Sequence, residues 1–475
     1  MQNSFVNTCA GHPAVTRAAV PVFDPATLEV VADVPQSTPE QLNETVLAAR
    51  AVLSSAWTQD AALRREAIGK CADQLLSNEE ELGELLSREQ GKPLLAARGE
   101  IQTGARLLRY FSTLIETDKV IRQNESGSIR AIRAPIGAVG LIVPWNFPVT
   151  ILMMKLGPAL WAGNSVVVKP APSTPLTTLR IARLLAEVLP PGALNTVTGE
   201  GDIGQALVSH KGLGKISFTG SSPTGRRVMA TAAESLKRLT LELGGNDAAI
   251  VLQDADPSAI ATRLFASAFG NAGQLCCAIK RLYVHRRIHD EVVERMTAIA
   301  AGWRVGRGLL PDTQMGPLHT ATQRDHVRNL LADAKERGGR IHTGGEALEG
   351  WPGHFLRPAI VSGLTDDARL VAEEQFGPAL PILAFDDVEE AVARANASPY
   401  GLGGSVWSGD SGAAAEVASR LEAVNLYVNQ HAVPPDPEVP FGGTKASGFG
   451  YELGEWGADD FSVRKVLNVS GGALT

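Results

Sequence analysis

Val166-Val-Val-Lys-Pro170 is a short apolar run that ends on a lysine and a proline. An unbroken run of valines, without alternation, marks a strand buried on both faces. A helical pattern over 176–189 follows it. Then come a strand over 194–198, a helix over 202–208 and the strand Lys215-Ile-Ser-Phe-Thr219. Upstream, 137–143 is another continuous apolar run, and downstream 237–242 reads as one more strand. Strand and helix alternating in this way predict a mostly parallel, doubly wound sheet whose ligands bind beyond the strand C-terminal ends. Lys169 stands at such an end.

Three further segments adjoin this pattern. Phe218-Thr-Gly-Ser-Ser-Pro-Thr-Gly225 runs from a strand into a helical pattern over 226–233. Free N–H groups and the positive dipole end there suit a pyrophosphate, although the spacing of Gly220 and Gly225 is not G-x-G-x-x-G. Glu242 closes the last strand just before Gly244-Gly245. Downstream, Phe269-Gly-Asn-Ala-Gly-Gln-Leu-Cys-Cys277 presents Cys276 after small residues that let backbone pass close to the thiol. Pro144-Trp-Asn-Phe-Pro148 holds an asparagine whose amide can donate to an oxyanion if the loop faces that thiol.

The remaining composition bounds the function. The 475 residues are 44% hydrophobic and 20% charged, enough for two or three globular domains. A net charge of −7 gives no reason to expect nucleic acid or an anionic membrane as a partner. The four cysteines, Cys9, Cys71, Cys276 and Cys277, lack the spacing of a zinc site, so no metal is expected. Residues 1–20 lack the basic start and apolar centre of a secretory signal, which reads as cytoplasmic. The apolar stretch 134–163 contains Pro135, Pro144, Pro148 and Pro158 and is expected to fold as strand, turn and helix rather than to span a membrane. Thr38 and Pro39 are placed to open a helix. Helical patterns over 63–76, 79–89 and 94–117 are read as packing elements without chemistry.

LELGGN and FGNAGQLCC, with PWNFP, VVVKP, FTGS, Glu373-Glu-Gln-Phe-Gly-Pro378 and Pro440-Phe-Gly-Gly-Thr-Lys-Ala-Ser-Gly448, closely resemble the aldehyde dehydrogenase superfamily over about 23–469. The resemblance implies an NAD(P)-dependent, non-acylating enzyme with Cys276 as nucleophile, Glu242 as general base and Asn146 as oxyanion donor. It places Glu452 near the water and proton path. Pro144, Trp145, Lys169, Gly220, Ser221, Leu243, Glu374 and Phe376 fall at cofactor-binding positions. NAD-preferring relatives often carry glutamate where this chain has Pro172, so either NAD or NADP is expected. Retention of Glu242 argues against the acyl-CoA-forming branch.

By the same resemblance the fold is α/β, with a doubly wound cofactor domain at 1–116 and 134–241 and a second α/β catalytic domain at 242–446. A β-hairpin oligomerisation arm takes 117–133 and 447–475, its hairpin pairing with the tail 461–469 of a second subunit in a homodimer or homotetramer. The substrate pocket draws on Phe147, Thr150, Ile151, Met154, Leu275, Cys277 and Phe441, with the loop 429–439. That apolar lining favours medium-sized aliphatic or aromatic aldehydes. A semialdehyde such as succinate semialdehyde is the alternative if Lys280 or Arg281 turns inward. His431 either lines the pocket or only packs. A thiol esterase and a nucleotide-binding structural protein are the non-redox readings.

Overall fold

The computed structural model describes residues 5–16, 18–115 and 118–471. The helix end and arm start placed at 116–117, and the terminal residues 1–4 and 472–475, lie outside the described residues.

The apolar runs build a six-stranded sheet in which Arg238–Glu242, Lys215–Thr219, Ala138–Ile142, Ser165–Lys169 and Leu194–Thr196 lie parallel in that order. Ser165–Lys169 is buried along its whole length, as its unbroken valines require. Register brings Ile142 beside Lys169 and Thr219 beside Glu242, so the chain ends meant to carry ligands share one sheet edge. A short antiparallel strand, Gly448–Phe449, closes the sheet beside Arg238–Glu242. Gly448 sits at φ +112°, and a Cβ there would come within 1.9 Å of the Leu241 carbonyl oxygen, so only glycine fits. This strand belongs to the parallel sheet, which corrects its assignment to the arm.

A second, seven-stranded sheet carries Arg340–Thr343, Ala359–Ser362, Ala379–Phe385, Ile279–His285, Asp247–Val251, Gly403–Trp407 and Asn425–Val428, parallel except for its first strand. Helices cover both sheets. Thr38 caps Pro39–Ala51 with a full capping box to Gln41. The helix expected over 176–189 stops at Leu185, and the one expected over 226–233 starts at Ser222, where Pro223 occupies its first turn. The apolar stretch folds as Ala138–Ile142 and the helix Pro148–Trp161. Among the described residues no helix is long and apolar enough to cross a membrane.

The third sheet joins Lys119–Asn124, Gly127–Pro135 and Ser462–Ser470. Its tail strand pairs along its full length with Gly127–Pro135 of the same chain, correcting the expectation that a second subunit supplies it. The reason is local. The helix Gly454–Asp460 delivers the tail beside the hairpin, where Arg133 pairs with Asp459 at 2.7 Å and Asn164 Nδ2 donates to the Phe461 carbonyl at 2.8 Å.

Candidate active site

The thiol segment leaves the helix Pro257–Phe269 through three left-handed residues, Asn271, Ala272 and Gly273. Two of them are not glycine, a conformation that needs surrounding bonds to hold it. Gln274 supplies some: its side chain donates to the Asn271 carbonyl at 3.0 Å and accepts from the His319 amide at 2.8 Å. The turn leaves Leu275, Cys276 and Cys277 half-buried in sequence.

Asn146 reaches this segment from the other sheet. Its Nδ2 donates to the Gln274 carbonyl at 3.0 Å, two residues before the thiol. An amide nitrogen carries two hydrogens, so one is left for an oxyanion. Gly244-Gly245 approaches from the remaining side, since a Cβ on Gly245 would lie 2.4 Å from the Cys276 carbonyl oxygen and one on Gly244 2.4 Å from Glu374 Oε2. Glu374 Oε1 accepts from the Gly245 amide at 3.0 Å. The paired glycines therefore let Glu242, Cys276 and Glu374 converge.

The Cys277 side chain and burial together push the Cys276 thiol well above its ordinary range, so it rests protonated. Burial, then Glu452, pushes Glu242 well above the carboxylate range, while Lys155 opposes the shift. Glu242 Oε1 is buried without a hydrogen-bond partner among the described residues. Such a carboxyl holds its proton more readily than an ordinary one. Glu452 is fully buried, pairs with Lys155 Nζ and accepts from Ser217 Oγ at 3.1 Å.

On the cofactor side, Trp145 stacks on His319 with ring centroids 4.7 Å apart and meets Phe376 edge-on at 5.5 Å. Burial holds His319 down at about 4, so its ring stays neutral against the indole. Lys169 is 4% exposed and, among the described residues, its Nζ bonds only the Pro170 carbonyl, at 3.3 Å. Burial lowers its pKa to about 8 against the pull of Glu200 and Asp202. An amine so placed, with Ser221 and Gly220 at the N-terminus of Ser222–Ala233, fits a ribose and a pyrophosphate. Leu243 is buried, its amide donating to the Ser447 carbonyl at 3.0 Å, and Pro144 is half-buried. Pro172 is exposed.

Phe147, Ile151, Met154 and Phe441 share one apolar cluster, with Thr150 buried on the same helix. Lys280 Nζ donates to the Leu275 carbonyl at 2.7 Å, and Arg281 bonds the carbonyls of Asn246, Arg394 and Ala395. His431 packs: it is 4% exposed and its Nε2 lies 3.0 Å from the Cys277 carbonyl oxygen. Among the described residues no group of His, Cys, Asp and Glu is arranged to hold a metal.

The model of the aldehyde dehydrogenase family matches residues 13–467. The chain belongs to the aldehyde dehydrogenase family. It is an NAD(P)-dependent aldehyde oxidoreductase. This aldehyde dehydrogenase is 38% identical to the phenylacetaldehyde dehydrogenase of Pseudomonas fluorescens, over 94% of this chain and 92% of that one. It is 38% identical to the geranial dehydrogenase of Castellaniella defragrans, over 91% of each. The NAD+ complex of the aldehyde dehydrogenase from Bacillus cereus superposes with a TM-score of 0.95 at 34% identity, over 98% of this chain and 97% of that one.

Two groups at the enzyme's site escaped the sequence reading. Lys155 is the one charge in a helix whose fourteen residues are all buried, and a lone charge in an apolar run demands a partner. Lys92 lies between, and Glu100 within, elements read as packing only, yet Lys92 touches the Asn146 loop and Glu100 the first turn of the helix that follows it.

Proposed function

We propose that this enzyme oxidises medium-sized aliphatic or aromatic aldehydes to free acids through a thioester on Cys276. The observation that carries the substrate class is the commitment of Lys280 and Arg281 to backbone carbonyls, beside a pocket walled by Phe147, Met154 and Phe441. A carboxylate-bearing semialdehyde meets no free cation among these pocket residues, whereas an aryl or alkyl chain meets apolar surface. The relatives that act on phenylacetaldehyde and geranial support the same class.

In this reading Cys276 Sγ adds to the aldehyde carbon as its proton passes to Glu242, and the oxygen takes up the negative charge. The second Asn146 amide hydrogen and the Cys276 backbone N–H receive that oxygen. Lys169 and Ser221 would hold the ribose and pyrophosphate of the cofactor and Glu374 and Phe376 its nicotinamide end, which would supply the hydride acceptor. Collapse leaves a thioester on Sγ. Glu242 takes a proton from water, the hydroxide attacks the acyl carbon, and the thiolate leaves. Per turnover one aldehyde, one oxidised cofactor and one water give one acid, one reduced cofactor and one proton. Glu452 neighbours Glu242 and receives its proton in turn, while Lys155 stays paired with Glu452. With Pro172 exposed at the position where NAD-preferring relatives often carry glutamate, no carboxylate at that position repels a 2′-phosphate, so both NAD and NADP are accepted.

The chain is further proposed to work as a homodimer or homotetramer, joined through the three-stranded sheet. The edge strand Lys119–Asn124 is exposed throughout and carries Val120 and Ile121, an edge that another copy covers.

Absorbance of NADH and NADPH across phenylacetaldehyde, medium-chain alkanals and succinate semialdehyde tests the reading. Higher kcat/KM for the neutral aldehydes supports it. A preference for the semialdehyde overturns the substrate class.

A further inference from the structure

The loop that carries Asn146 is fastened from behind by an ion pair with no part in the chemistry. Lys92 Nζ donates to the Asn146 backbone carbonyl at 2.9 Å and pairs with Glu100, and both side chains are 1% exposed. Glu100 Oε1 in turn accepts from the amides of Val149 and Thr150 at 2.9 and 3.0 Å, the first turn of the helix that follows the loop. Lys92 Nζ also stands 3.8 Å from the centre of the Phe147 ring. One buried pair thus holds the backbone on both sides of Phe147.

Burying two opposite charges rarely adds net stability over an apolar pair of the same shape. Here the pair satisfies backbone groups that no helix ladder reaches: two of the helix's first N–H groups and, together with Asn271 Nδ2 at 3.1 Å, the loop carbonyl of Asn146. The position of Asn146 Nδ2, and with it the bond to Gln274, follows from where that backbone is held.

We propose that Lys92 and Glu100 are positioning residues for the reaction, acting through Asn146 to fix its amide at the oxyanion and through Phe147 to fix one wall of the pocket. The inference rests on the reading of Asn146 as oxyanion donor. Neither residue touches the reacting atoms; their effect is geometric, and a displacement of about 1 Å at a reacting centre costs about 100-fold in rate.

The test is a double-mutant cycle on the acylation rate, read as the pre-steady-state burst of NADH with phenylacetaldehyde. Lys92→Met leaves Glu100 alone in the interior, so Lys92→Met/Glu100→Gln, which removes both charges and retains an acceptor for the Val149 and Thr150 amides, is measured beside it. In the proposal either variant lowers the burst rate about 10- to 100-fold, with NAD binding by fluorescence titration unchanged. Adding Asn146→Ala to the Lys92 variants then costs far less than it does in wild type, because the two act on one interaction. Losses that multiply, or a wild-type burst rate in a folded Lys92→Met/Glu100→Gln protein, overturn the proposal. A wild-type burst rate in Asn146→Ala alone removes the oxyanion reading instead, and the positioning role falls with it.

Discussion

Gly245 lies directly against Cys276: a Cβ at Gly245 would sit 2.4 Å from the Cys276 carbonyl oxygen. Gly245→Ala must displace the thiol segment. The expected result is a fall in kcat of about 100-fold in a protein whose circular dichroism matches wild type. Wild-type kcat in this variant would show that the thiol's position is not set here.

Lys155 and Glu452 form a fully buried pair. Lys155→Met strands the carboxylate and should cost about 3–5 kcal/mol of stability, read by urea unfolding. Lys155→Met/Glu452→Leu should recover most of that loss. Equal destabilisation of single and double variants would contradict the pairing.

Glu242 gives a pH signature. Below the ordinary carboxylate pKa, folded and unfolded chains both hold its proton. Above it the unfolded chain releases the proton while burial keeps it on the folded one, so this group lowers wild-type stability as pH rises towards the raised folded value. Glu242→Gln lacks that slope. Its Tm should therefore gain on wild type by about 2 °C between acid and neutral pH. A gap that narrows as pH rises would place the Glu242 pKa on the other side of normal.

Lys280 is bound to the Leu275 carbonyl at 2.7 Å and faces the Phe376 ring at 5.4 Å. Lys280→Met should lower kcat/KM by about tenfold, equally for phenylacetaldehyde and succinate semialdehyde. A loss confined to the carboxylated substrate would bring Lys280 to the substrate and restore the semialdehyde reading.

What the sequence disclosed, and what it withheld, follows from the range of the interactions. Val166 to Lys169 announced a buried strand because burial on both faces leaves no polar position in the run. Thr38 and Pro39 announced a helix start because an N-cap and a first-turn proline are adjacent in sequence. Cys276, Glu242 and Asn146 were legible through the motifs around them, but their convergence depends on two glycines whose neighbours, Glu374 and Cys276, are remote in sequence. Lys92 and Glu100 were illegible for a related reason. Nothing near either residue signals that its partner is a loop about fifty positions away. The tail Ser462–Ser470 read as extended, and periodicity alone does not say which chain an extended strand will join.

The account turns on an acyl group carried by Cys276 and released by Glu242. Mass spectrometry of the Cys276 peptide from Glu242→Gln, after mixing with NAD and phenylacetaldehyde, tests it most directly. The prediction is a burst of about one NADH per active site with the acyl mass on Cys276, and no burst in Cys276→Ala. Sustained turnover in Glu242→Gln, or a burst without acylated Cys276, would contradict it.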